Sequence, residues 1–172
     1  MTYDPSTRSN RELLADWAGI MRVLREREII RTNNSPTGDI AEALVERALG
    51  GERSHFSNAG WDVRLPPSNE YPAGERVQVK SVRVVPWAKP PTNCSPIVDQ
   101  DYDTVVLVYF DEDFRVTGAR YFTRGVVEDA FPPRARDGAR IIRLTRKFLA
   151  RDDVHQIDIS DAMLDRPVRG AA

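Results

Sequence analysis

Two hydrophobic rhythms run along this chain, a helical one in its first third and a strand-like one afterwards. Leu13, Leu14, Trp17, Ile20, Met21 and Leu24 recur at the three- and four-residue spacing of one helix face, and Ser9 or Asn10 can cap its start. The turn-forming stretch Asn33-Asn34-Ser35-Pro36-Thr37-Gly38 breaks that helix. A second helix is predicted from about Asp39 to Leu49, ending at Gly50-Gly51. From Gly60 to Leu65 the pattern alternates, with Trp61, Val63 and Leu65 on one face and Asp62 and Arg64 on the other. After a turn-rich loop, Arg76 to Val85 alternates and is rich in β-branched residues. Pro86 to Pro96 is expected to be irregular. Thr104 to Phe110 is nearly all apolar and reads as a buried central strand. Asp111-Glu112-Asp113 turns the chain into a strand at Arg115 to Phe122. A short helix over Thr123 to Ala130 and a strand over Ile141 to Leu144 follow, and Thr145 to Leu164 reads as short helix and irregular chain.

The order α-α-β-β-β-β-α-β predicts a mixed α/β fold. The organisation is an N-terminal helical segment over residues 1–35 and an α/β domain over residues 36–168. A length of 172 residues suits one domain with a short appended element. No apolar run approaches the roughly 20 residues of a membrane span, and Met1 to Asn10 lacks an apolar signal core. Cys94 is the only cysteine, so an intramolecular disulfide and a cysteine-built zinc site are excluded, and a cytoplasmic location is expected.

The polar positions of the predicted strands carry the candidate chemistry. Gln78 and Lys80 point to one face of their strand, and Asp62 lies on the polar face of the preceding one. Consecutive strands usually pair, which would bring a carboxylate, an amide oxygen and an ammonium together. Such a set suits phosphodiester hydrolysis with a hard divalent cation, Asp62 and Gln78 supplying oxygen ligands and Lys80 standing beside the nucleophile. A third acidic group is expected from the second helix. There Ile40, Ala41, Leu44, Val45, Ala48 and Leu49 form the apolar stripe. Glu42 borders that stripe and is preferred; Glu46, further round toward solvent, is the fallback.

The strings Thr37-Gly38-Asp39-Ile40-Ala41-Glu42, Gly60-Trp61-Asp62-Val63 and Val77-Gln78-Val79-Lys80-Ser81 together resemble the PD-(D/E)XK nuclease superfamily. The likeness covers roughly Thr37 to Arg83. It implies a restriction-endonuclease-like fold, a mixed central sheet flanked by helices, here with an N-terminal helical extension. It also implies Mg²⁺ or Mn²⁺ as cofactor and DNA as substrate. Glu42, Asp62, Gln78 and Lys80 then take the metal-binding and catalytic positions. Two departures stand out. Trp61 occupies the place of the motif's proline, and Gln78 replaces the usual acid, as in the Mrr-type branch. Two rival readings remain: a weakly active or inactive domain of this fold acting as a DNA-binding or protein-interaction module, and an unrelated α/β binding protein whose Gln-x-Lys is coincidental.

Charge argues for neither sign of partner. Lys and Arg number 25 against 26 Asp and Glu, a net charge of -1, so any nucleic-acid contact must come from local clustering. Arg22, Arg25, Arg27 and Arg31 lie beside the first helix's apolar stripe, a solvated face or a DNA- or dimer-contacting one. Arg134, Arg136, Arg140, Arg143, Arg146 and Lys147 form the densest basic stretch, which could track a phosphate backbone. Trp87 and Lys89 sit on the proline-rich loop after Lys80, either as plain connection or as substrate contacts. His55, His155 and Cys94 read as structural or solvated, and Ser81 as pointing away from Lys80. Cutting both strands of a duplex calls for two active sites, so a homodimer is one expectation.

Overall fold

The computed structural model describes residues 3–31, 35–55 and 60–165. The first helix, α1, spans Asn10–Glu26, with Ser9 and Glu12 forming a reciprocal capping box. It ends well before the expected breaker, Glu28 adopting a left-handed φ of 59°; residues 32–34 of that breaker lie outside the described residues. Helix α2, Thr37–Leu49, closes on Gly50, whose φ of 71° needs a residue without a Cβ penalty.

Six strands form one sheet in sequential order: β1 Glu52–Arg53, β2 Val63–Arg64, β3 Arg76–Arg83, β4 Thr104–Phe110, β5 Val116–Thr123 and β6 His155–Ile157. All neighbours are antiparallel except β3 and β4, which run parallel from Val77 opposite Thr104 to Arg83 opposite Phe110. The mixed α/β expectation therefore holds. Helix α3, Arg124–Ala130, follows β5, and a short α4, Arg146–Leu149, precedes β6. Among the described residues no helix is long and apolar enough to cross a membrane.

Strand β4 is buried on both faces, as its unbroken apolar run requires. Val106, Val108 and Phe110 pack with Val77, Val79 and the stripe of α2. Val105 and Leu107 pack on the other side with Val126 and Val127 of α3, Phe122 and Phe148. The parallel pairing of β3 and β4 demands a crossover. Here it is the irregular proline-rich segment, residues 84–103, whose Cys94, Ile97 and Tyr102 are buried in the second core.

Four expectations need correction. Ile141 to Leu144 is not a strand: Arg140 and Arg143 make only isolated bridges to Ile97 and Asn93 of the crossover. Strands β1 and β6 have no counterpart in the sequence pattern, being two and three residues long and without a period of their own. Only Val63–Arg64 of the Gly60 to Leu65 run is a strand, and Trp61 packs against the second core while Val63 and Leu65 face the first. Glu46 is not on a solvent face. It is buried, accepting from the Arg53 backbone at 3.2 Å and its Nε at 2.8 Å.

Candidate functional site

The end of the β2–β3 ladder positions Asp62. Its backbone N–H donates to Val77 O at 2.8 Å, and its carbonyl accepts from Ser54 N at 2.8 Å. Beyond it the chain turns at Gly60, which has φ 101° and comes so close to Asp101 that a Cβ would lie 2.8 Å from the Asp101 carbonyl oxygen. With no strand residue left to serve Val79, the Asp62 side chain takes over: Oδ2 accepts the Val79 N–H at 2.7 Å and also the Gln78 Nε2–H. A carboxylate is thereby fixed at the edge of the sheet, beside Gln78 and near Lys80 two residues further on.

Gln78 is buried and also donates to Val79 O at 3.4 Å, so its amide nitrogen faces Asp62. The Lys80 side chain makes no hydrogen bond or ion pair with the described residues. Its burial pushes the ammonium pKa down, against the opposing pull of Asp62, Cys94 and Glu42. Cys94, brought alongside by the crossover, is buried and its thiol pushed up to about 12 by desolvation. That holds it in the protonated, inert form.

Helix α2 packs on the sheet face carrying Val77 and Val79 and brings Glu42 within electrostatic range of Asp62 and Lys80. Burial, with the nearby Asp62 charge next in weight, raises its carboxyl to about 7 despite an ion pair with Arg31. Burial likewise raises Asp62, opposed by the Val79 N–H and by Lys80. Two carboxylates thus share a desolvated corner that holds too little positive charge for both to ionise comfortably.

The structure therefore brings Asp62, Gln78, Lys80 and Glu42 together and leaves Glu46 out. Sequence reasoning misses Arg31 and Asp39. Arg31 joins Glu42, donates from its backbone to Asp39 Oδ2 at 3.0 Å, and donates from Nη1 to Ser54 O at 2.6 Å. The sequence pattern groups it with the arginines of α1, whereas it lies beyond that helix. Asp39 is buried in the first turn of α2. No local spacing signals either role, because both contacts join distant segments. Beside Arg31 lies a depression of about 500 Å³ carrying Arg25, Arg53 and His55 together with Glu28 and Glu46.

The remaining candidates lie elsewhere. Ser81 points to the other face of β3, and Trp87 is 74% exposed on the crossover. His55 and His155 are exposed. The basic stretch is partly spent: Arg134 and Arg136 pair with Asp137, and Arg140 donates to the Phe131 carbonyl. Arg143, Arg146 and Lys147 remain exposed. Among the described residues no group of three or more His, Cys, Asp or Glu side chains is arranged to hold a metal ion; the set at Asp62 has two carboxylates and an amide. No family model matches the chain, and a search of curated proteins finds no significant match either.

Proposed function

We propose that the protein is a metal-dependent nuclease with a restriction-endonuclease-like fold, hydrolysing phosphodiester bonds in DNA. The observation that carries this reading is the meeting of Asp62, Gln78, Lys80 and Glu42 at one edge of β3. The donor set suits Mg²⁺ or Mn²⁺: two half-buried carboxylates keep raised pKa values despite the Arg31 and Lys80 charges beside them, and an amide oxygen adds a hard neutral ligand. When bound, such an ion lowers the pKa of a water and offsets charge gathering on the phosphate.

The chain's own groups have distinct tasks in this reading. Asp62 and Glu42 would hold the cation, with the Gln78 amide oxygen as the third donor available to it. Val79 N–H keeps Asp62 oriented. Lys80 has an ammonium free of ion pairs with the described residues and directs it at a phosphate oxygen or the attacking water. Arg31 and Arg25 line the neighbouring depression, where they would stand toward the phosphate backbone, while Arg53 is committed to Glu46.

One observation favours a second reading, an inactive domain that binds DNA or protein. Protein donors already serve both carboxylates, Gln78 Nε2 on Asp62 and Arg31 on Glu42. The deciding experiment compares wild type with Lys80→Ala on single- and double-stranded DNA in Mg²⁺ and in Mn²⁺. The nuclease reading expects metal-dependent cutting by wild type and a loss of at least about 100-fold in the variant. Equal, trace-level cutting by both refutes it in favour of the inactive domain.

A further inference from the structure

Helix α1 carries an apolar surface that the domain does not cover. Met21 is its one buried residue. Leu14, Trp17, Ile20 and Val23 are 63%, 47%, 49% and 41% exposed. Being three residues apart, they form one continuous ridge winding across the helix. Alongside runs a groove of about 730 Å³, where Ala15 and Gly19 leave a shallow floor. A Cβ at Gly19 would meet nothing closer than the end of Arg22 at 3.8 Å, so the floor is open.

Ridge and groove on one helix make the surface complementary to itself, since ridges of one helix pack into grooves of another. The charges add a direction. Asp16 lines the N-terminal end of the groove, and Arg22 and Arg27 line its C-terminal end. Parallel copies would set like charges side by side. Antiparallel copies would place the aspartate end of each against the arginine end of the other, in the two-fold arrangement of an isologous dimer.

We propose that α1 is the contact through which two copies of this chain associate, as an antiparallel helix pair about a two-fold axis. The proposal is independent of the chemistry proposed for the Asp62 site. A helix of 17 residues is about 25 Å long, a short contact, so the association is one that dilution should reverse.

Sedimentation of the full chain between about 1 µM and about 100 µM tests this. The expected result is a shift from the monomer mass of 19.5 kDa to twice that value. Ile20→Asp should remain monomeric throughout, with an unchanged circular-dichroism spectrum and, at the dilute end where wild type is also monomeric, an unchanged melting temperature. Two charge variants probe the orientation. Asp16→Arg alone and the double variant Arg22→Glu, Arg27→Glu alone should each stay monomeric, and mixing them in equal amounts should restore the doubled mass. A wild type that is monomeric over the whole range overturns the proposal, as does an Ile20→Asp variant that still dimerises. A mixture no heavier than its components overturns the antiparallel arrangement. Wild type that stays monomeric yet co-sediments with anionic phospholipid vesicles would assign the ridge to a membrane surface instead.

Discussion

Replacing Glu42 by Gln should make the metal-free protein more stable at alkaline pH and leave it nearly unchanged in acid. Folding raises the Glu42 carboxyl from an ordinary 4.5 to about 7, mainly through burial and secondarily through the Asp62 charge. The folded state therefore holds a proton that the unfolded chain has already released. In that window the unfolded state binds fewer protons, so stability falls as pH rises. The loss begins near the unfolded value, grows up to the folded one, and is complete above it. Each pH unit between those two values is worth about 1.4 kcal/mol, so the full effect is about 3 kcal/mol, of which about 2.5 kcal/mol develops between about pH 5 and about pH 8. The side chain is only 18% exposed, so solvent screens little of this. The assay is urea denaturation followed by circular dichroism, in EDTA, at several pH values. Wild type should lose stability relative to Glu42→Gln across that range, the variant being ahead by about 3 kcal/mol at the alkaline end. Parallel curves would show that Glu42 does not titrate with folding and that the corner is not short of positive charge.

Three further outcomes are expected. Asp62→Asn, whose amide oxygen can still accept the Val79 N–H, should fold and lose the rise in melting temperature that Mg²⁺ or Mn²⁺ gives wild type; a retained rise would remove Asp62 as a ligand. Gly60→Ala should cost about 1–3 kcal/mol in chemical denaturation, because φ 101° is strained for any side chain and the added Cβ meets the Asp101 backbone. Leu107→Ala, at a fully buried position of the central strand, should cost about 2–5 kcal/mol, and a cost below about 1 kcal/mol would mean that the second core is loosely packed there.

The parts of the fold legible in the sequence are those whose own residues repeat. Helix α2 and strands β3, β4 and β5 are readable because each carries enough positions for a period to show. Strands β1 and β6 carry two and three residues, and pairing with a neighbour alone makes them strands. That gap extends to Glu46. A helical projection turns it toward solvent, but β1 brings Arg53 over that flank and buries both side chains. Ile141 to Leu144 shows the opposite error, an apolar run that the proline-rich crossover meets in single bridges instead of a ladder. Within the site, alternation suffices to put Gln78 and Lys80 on one face and Asp62 beside them. It is silent on Arg31 and Asp39, whose roles arise from a meeting of the α1–α2 connection with the start of α2 and with Ser54.

The only parallel pair in the described sheet, β3 with β4, ties the protein's assembly to its longest structureless connection. Every rung from Val77–Thr104 to Arg83–Phe110 joins residues separated by the whole crossover, whereas β4 and β5 meet across a tight turn at Asp111. Chain entropy must be spent on closing that loop before the first rung forms. The β4–β5 hairpin should then arise early, and β3, carrying Gln78 and Lys80, should dock late. Until it does, one edge of the most apolar strand in the chain stays bare, and another unfinished molecule can pair with it. Refolding yield should accordingly fall steeply as protein concentration rises, even where the finished protein is soluble.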